Sequence, residues 1–109
     1  MGSDRLDKMR MELRRGVLVL AVLAALREEH YGYSLRKKLI SHGLDIDEGT
    51  LYPLIRRLEK YELLISEWRD GEGRKKRYYA ISEAGKSLLH ELDGEWRAIN
   101  HSLADLLED

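Results

Sequence analysis

Arg56, Arg57 and Lys60 fall within the stretch DEGTLYPLIRRLEKYELL, residues 47–64, beside Thr50 and Tyr52. Guanidinium, ammonium, phenol and hydroxyl groups are donors suited to phosphate oxygens and to base edges in a DNA groove. Helical spacing sorts them. Leu51, Leu54, Ile55, Leu58 and Tyr61 recur on one face. A turn of about 100° per residue puts Gly49, Pro53, Arg56 and Lys60 on the opposite face, flanked by Thr50, Tyr52 and Arg57. The acids Glu48 and Glu59 lie towards the edge. A helix face that only meets water usually mixes its charges, and a groove-reading helix gathers cations as this one does. On this helix alone, DNA reading and plain solvation both stay open.

Other chemistries find less support. The chain has no cysteine, which removes disulfides, thiolate catalysis and cysteine zinc sites. None of His30, His42, His90 and His101 has a histidine or cysteine at the i+3 or i+4 spacing of a helical metal site. No Ser-His-acid arrangement, Walker loop or Gly-x-Gly-x-x-Gly run occurs, so neither an enzyme nor a cofactor is expected. The longest apolar run, Val17 to Leu26, is too short to cross a bilayer, and no secretory signal fits the N-terminal residues. A cytoplasmic protein that avoids membranes is the expectation.

The elements that must position the basic face can be read outward from it. Ser3 or Asp4 suits the cap of a first helix running to about Glu28, apolar all round from Val17 to Leu26 and therefore buried on several sides. Gly32 interrupts the chain. Tyr33 to Ser41 reads as a short helix with Leu35, Leu39 and Ile40 inward, Arg36, Lys37 and Lys38 outward, and Gly43 as its C-terminal cap. Asp47 caps the basic helix. Pro53 lacks a backbone donor, so a start nearer Gly49 or a local bend is expected. Two short helices joined by a glycine-containing turn make a helix-turn-helix. β-Prone runs at Leu64–Arg69 and Arg77–Ile81 then flank a turn and four successive cations, Arg74, Lys75, Lys76 and Arg77. Such a hairpin tip is often only solvated, but behind a helix-turn-helix it is placed to neutralise phosphate. Trp68 would anchor the hairpin to the body.

Ser82 caps a last helix with Glu83 in its first turn. Leu89, Leu92, Trp96, Ile99, Leu103 and Leu106 follow at spacings of 3, 4, 3, 4 and 3, a heptad seam. Its cover can be the first helix, the same helix of a second chain, or both. Both, hence a homodimer, is the favoured reading, because operator reading by this motif generally uses two-fold pairs. Charge divides at the same place: residues 1–81 balance at +4 and residues 82–109 at -5, within a net charge of -1. The 109 residues, 43% hydrophobic, thus read as one unit with two parts. Residues 1–81 form a winged helix-turn-helix, and residues 82–109 a C-terminal dimerisation helix. The fold class is mainly α with a small β-hairpin, α+β.

The segments HYGYSLRKKL, GTLYPLIRRLEKYELLISEW and GRKKRYYAISEAGKSLL resemble the PadR family of bacterial and archaeal transcription regulators over about residues 14–92. The combination LYPLIRRLEK, Trp68 and RYYAISEAG is specific, and the single last helix looks like the compact branch of that family. The resemblance implies a winged-helix homodimer that represses by occupying a palindromic operator on double-stranded DNA. It implies that Tyr33, Ser34 and Lys37, with Lys38 on the same helix, meet phosphates. Thr50, Tyr52, Pro53, Arg56 and Arg57 would lie at the major groove, and Arg74 to Arg77 would reach backbone or minor groove. Tyr61-Glu62 stands where members often carry an acid and glycine, so the exit from the helix would differ, with Glu62 pointing away from DNA. It further implies a possible small aromatic effector, sandwiched by Trp96 and its symmetry mate; Trp96 filling the dimer core is the equal alternative. A winged helix used as a protein-interaction module is the rival reading from another class.

Overall fold

The apolar run from Val17 to Leu26 has no polar face to give to water, and the rest of the chain packs around it. In the structure, a computed structural model that describes residues 2–108, this run forms the last turns of α1 (Gly2–Ala25) and the residue after it, and Val22, Leu23 and Leu26 are fully buried. The helix is already formed at Gly2, so the cap expected at Ser3 or Asp4 lies inside it, and it ends at Ala25 rather than Glu28. After it come β1 (His30–Tyr31), α2 (Gly32–Ser41), α3 (Glu48–Lys60), β2 (Leu64–Asp70), β3 (Lys75–Ile81) and α4 (Glu83–Glu108). This is an α+β fold, a winged helix-turn-helix followed by one long helix.

Leu35 and Leu39 of α2, Leu51, Leu54, Ile55 and Leu58 of α3, and the strand residues Leu64 and Ile81 close the core around α1. Burial at this scale stabilises by about 1.5–3 kcal/mol for each large side chain. Two expected core members are outside it. Ile40 is exposed at the end of α2, and Tyr61 is 65% exposed, because α3 ends at Lys60 and the chain turns away before the next helical position is reached.

The caps follow local chemistry. Asp47 accepts from the backbone N–H of Thr50 at 3.1 Å and from its hydroxyl at 2.8 Å, which draws the Asp47 carboxyl below its usual pKa. The helix therefore begins at Glu48, one residue before Gly49. Pro53 sits inside it, leaving the Gly49 carbonyl without its i+4 donor. α2 ends on Gly43 at φ +86°, with Gly43 N–H bonded to Ile40 O and Leu44 N–H to Leu39 O, a Schellman motif. α3 ends with the same pair of bonds, Glu62 N–H to Glu59 O and Leu63 N–H to Leu58 O. Glu62 holds φ +65° there. The exit is thus the one a glycine would make, held by a residue that resists it.

The sheet is antiparallel, in the order β1-β3-β2. Two residues have no periodicity to read, so β1 was invisible in the sequence; His30 pairs with Tyr79 and Tyr31 with Tyr78. The wing strands are longer than the apolar runs suggested. Asp70 pairs with Lys75 and Arg69 with Lys76, opposite charges across the first and cations across the second, and the turn is only Gly71–Arg74. Ser82 donates to Glu62 O and accepts from the N–H of Gly85, tying the start of α4 to the exit of α3. Gly85 is obligatory in that contact: a Cβ would stand 2.2 Å from Leu63 O.

α4 then leaves the body. Leu88 and Leu89 pack on the core and Leu92 is half-buried, but Trp96, Ile99, Leu103 and Leu106 are exposed, Leu106 at 71%. Leu6, Met9 and Leu13 on the free half of α1 are bare too. Among the described residues, no helix is long and apolar enough to cross a membrane.

Two outcomes follow from this geometry. Glu62→Gly removes the left-handed strain and should stabilise the fold by about 1 kcal/mol in urea denaturation. The second concerns His30, whose Nδ1 lies 3.0 Å from Ser34 Oγ, itself donating to Tyr31 O. Nδ1 therefore carries the proton, and buried Nε2 has no partner among the described residues. Burial, then Lys38, lowers the His30 pKa, against a smaller opposing pull from Glu28. A lowered folded pKa means that stability is present above the unfolded value near 6.5 and is lost as pH falls below it. Thermal melts from pH 7.5 to 5 should show that loss, and His30→Gln should flatten it.

Candidate nucleic-acid interface

α3 presents the face its spacing required, and two neighbours frame it. On one side the amino end of α2 approaches so closely that a Cβ on Gly32 would lie 3.0 Å from the Tyr52 ring. Burial there raises the Tyr52 pKa, with Glu48 adding to the shift. On the same side the wing is clamped to α3 through Glu59. Arg77 Nη2 donates to both Glu59 oxygens, at 3.1 and 2.9 Å, Arg77 Nε donates to Ser66 Oγ at 2.9 Å, and Ser66 Oγ donates to Glu59.

Between α2, α3 and the wing lies a groove of about 370 Å³. Tyr33, Tyr52, Arg56, Arg74, Lys75, Lys76 and Arg77 all line it, so the structure brings these expected site residues together. No side chain caps the amino end of α2 at its mouth. Aromatic rings interleave with the cations. Lys37 Nζ stands 5.4 Å from the Tyr33 ring centroid, Lys76 Nζ 4.2 Å from that of Tyr31, and Tyr31 and Tyr33 stack at 6.4 Å.

The remaining expected residues divide. Thr50, Pro53 and Arg57 are on the other flank of α3, in a separate groove against α1. The Thr50 hydroxyl proton is engaged by Asp47. Ser34 is half-buried and held between His30 and Tyr31 O. Lys38 turns to the α1 side and pairs with Glu28, lowering the Glu28 pKa chiefly through that hydrogen bond. Arg36, read as outward, folds back to donate to Ile46 O at 2.7 Å. Arg77 is spent on Glu59, leaving Arg74, Lys75 and Lys76 as the wing cations without an ion pair among the described residues.

Trp68 does not anchor the wing. It is 60% exposed, on the α3-facing side of β2 opposite Arg77, whose guanidinium lies 5.6 Å from its ring. Tyr31 and Gly32 are site residues that sequence reasoning passed over; the alternation of rings and cations in HYGYSLRKK and RKKRYY was the available signal.

Ion pairing sharpens the picture. Arg69 is gripped by Glu29 and Glu67, and Lys8, Arg10, Arg15, Lys86 and Arg97 each have a carboxylate of their own helix. Eleven cations have none among the described residues: seven, Lys37, Arg56, Arg57, Lys60, Arg74, Lys75 and Lys76, on α2, α3 and the wing, then Arg36 held on the Ile46 carbonyl, and Arg5, Arg14 and Arg27 on or just after α1. Positive charge left uncompensated on one surface favours a polyanion.

A family model described as the transcriptional regulator PadR-like family matches residues 19–91. The crystal structure of a PadR family transcriptional regulator from Eggerthella lenta superposes with a TM-score of 0.90 at 44% identity, covering 97% of this chain and 95% of that one. A PadR-like transcriptional regulator from Bacillus cereus gives 0.80 at 33% identity, over 90% and 98% of the two chains. A transcriptional regulator of Mycobacterium tuberculosis is 40% identical over 81 residues, 73% of this chain and 76% of that protein.

The clamp can be tested apart from any ligand. Glu59→Ala leaves Arg77 and Ser66 without their shared acceptor and should cost about 1–2 kcal/mol of stability in urea denaturation.

Proposed function

This chain belongs to the PadR-like family of transcriptional regulators, DNA-binding regulators and not enzymes, and from that premise we propose that it is a homodimeric repressor occupying a palindromic operator. The observation that carries the reading is the concentration of unpaired cations and exposed rings on the surface formed by α2, α3 and the wing. In this reading Arg56 and Tyr52 face base edges in the major groove, with Thr50, Pro53 and Arg57 along the other flank of the helix. Tyr33, Ser34 and Lys37 meet the backbone at the amino end of α2, and Arg74, Lys75 and Lys76 follow the phosphates beside it. Lys38 and Arg77 serve the fold and contribute long-range charge only. The protein would act in the cytoplasm, where its operator is.

Residues 1–81 are the DNA-binding part and residues 82–109 the dimerisation helix. What supports the second is the bare stripe from Trp96 to Leu106, matched by the bare Leu6, Met9 and Leu13 of α1. Two-fold pairing would cover both and set two α3 helices about one DNA turn, roughly 34 Å, apart. Trp96 is 39% exposed at the start of that stripe and in the middle of the full seam from Leu89 to Leu106, which suits either a packed dimer core or a small aromatic effector held between the two copies. An effector there would release DNA only by preferring a dimer with a different spacing.

Footprinting over the chain's own promoter should show protection at low salt; an unprotected promoter and flanking genomic DNA would remove the repressor reading in favour of a protein-interaction module. On a protected fragment, Arg56→Ala should relax discrimination at one base pair by about 1–3 kcal/mol, whereas Lys75→Ala should weaken all sequences alike and flatten the salt dependence by about one unit of slope. Sedimentation should give a dimer at micromolar concentration, with Ile99→Glu shifting it towards monomer. Titration with flat aromatic compounds, followed by Trp fluorescence in the parent and in Trp96→Leu, tests the effector site.

A further inference from the structure

The larger of the two grooves beside α3 has no part yet. It holds about 490 Å³ between α1 and α3, within the size range of small-molecule sites. Its floor is apolar, with buried Leu18, Ile46 and Leu54 beside Met11 and Pro53. Three guanidinium groups line it, Arg14, Arg15 and Arg57, against two carboxylates, Asp45 and Asp47. Both Asp47 oxygens are occupied by the Thr50 cap. Arg14 and Arg57 have no ion pair among the described residues, and Arg15 is held only by exposed Glu12 at 3.3 Å. A phosphate backbone would use the arginines and leave the apolar floor unused; a hydrocarbon would do the reverse.

We infer that this groove binds an organic anion with an apolar body, its acid group on Arg14, Arg15 and Arg57 and its body on the floor of Met11, Leu18 and Leu54. Thr50, Pro53 and Arg57 belong both to this groove and to the reading helix, so occupancy opposes DNA binding directly, without any change in dimer spacing. That coupling rests on the repressor reading; the site itself does not. The groove is separate from Trp96, and neither tryptophan lines it.

The test is calorimetry on the full chain with three probes below their micellar range that share one tail: decanoate, decanol and decyltrimethylammonium. Decanoate should bind at least ten-fold more tightly than the other two. Arg14→Ala combined with Arg15→Ala, both surface changes, should abolish that preference while leaving decanol affinity as it was. Met11→Trp should add a fluorophore that responds to decanoate. Equal binding of decanoate and decanol, or no binding, overturns the site. Decanoate binding that quenches Trp96 and survives the double arginine variant places the ligand between the C-terminal helices and overturns it too. Lower DNA affinity in the double variant with no decanoate binding assigns the groove to phosphate, again against the proposal. On a protected DNA fragment, decanoate and DNA should weaken each other by the same factor. Decanoate binding with no DNA protected anywhere supports the groove and removes the repressor reading; protected DNA without decanoate binding does the opposite.

Discussion

Glu59 is the point at which the reading helix and the wing become one surface. Its two carboxylate oxygens take Arg77 Nη2, and one of them takes the hydroxyl of Ser66, which in turn accepts from Arg77 Nε, so that both strands of the hairpin are held. A hairpin of this length has little stability of its own and needs a partner to fix its angle. Without the clamp, the cations at Arg74, Lys75 and Lys76 would have no defined distance to Arg56. The acid at the edge of the basic face is therefore what makes the basic face usable. The close approach of Gly32 to Tyr52 does the same for α2, setting its amino end against α3 with only the Tyr52 ring between them.

The chain separates two kinds of incomplete surface. Around α3 and the wing, cations stand without carboxylates, and self-repulsion there is tolerable only because water screens it until a polyanion arrives. Along α1 and α4, leucines, isoleucine and tryptophan stand without apolar cover. A contiguous apolar stripe of this kind marks an association surface more often than a solvent face. The two surfaces ask for chemically opposite partners, and the acidic balance of residues 82–109 disfavours contact of the apolar end with a polyanion.

What could be read in advance was what is local. The inward faces of α1 and α3, the caps at Asp47 and Ser82, the Gly43 ending and the existence of the hairpin each depend on residues within a few positions of one another. What could not be read depends on distant partners. Lys38 looked as outward as Lys37, and only the placement of Glu28 across the α1–α2 junction distinguishes them. Arg36 is withdrawn by a carbonyl in the next loop, Arg77 by an acid on another element, and β1 exists only because β3 is there to pair with it. Trp68 failed as an anchor for a related reason: the core beneath the wing was already filled by Leu64 and Ile81, so the ring stays outside against Arg77. The division of the expected DNA contacts between two grooves is likewise a property of how α1 crosses α3, which no spacing within α3 reveals.

α1 ties the two surfaces together. Its Met11, Arg14, Arg15 and Leu18 face α3, while helical spacing carries Leu6, Met9 and Leu13 round to the opposite side, where they are bare. One element thus borders the groove beside the reading helix with one face and carries bare apolar side chains on the other. Close packing of its second half in the core leaves α1 little freedom to move apart from its neighbours. The α1 side chains of the groove face Thr50, Pro53 and Arg57 across it, so a shift of α1 changes the width of that groove first. A single helix thus separates the bare apolar face from the groove beside the reading helix, with no long chain of side chains between them.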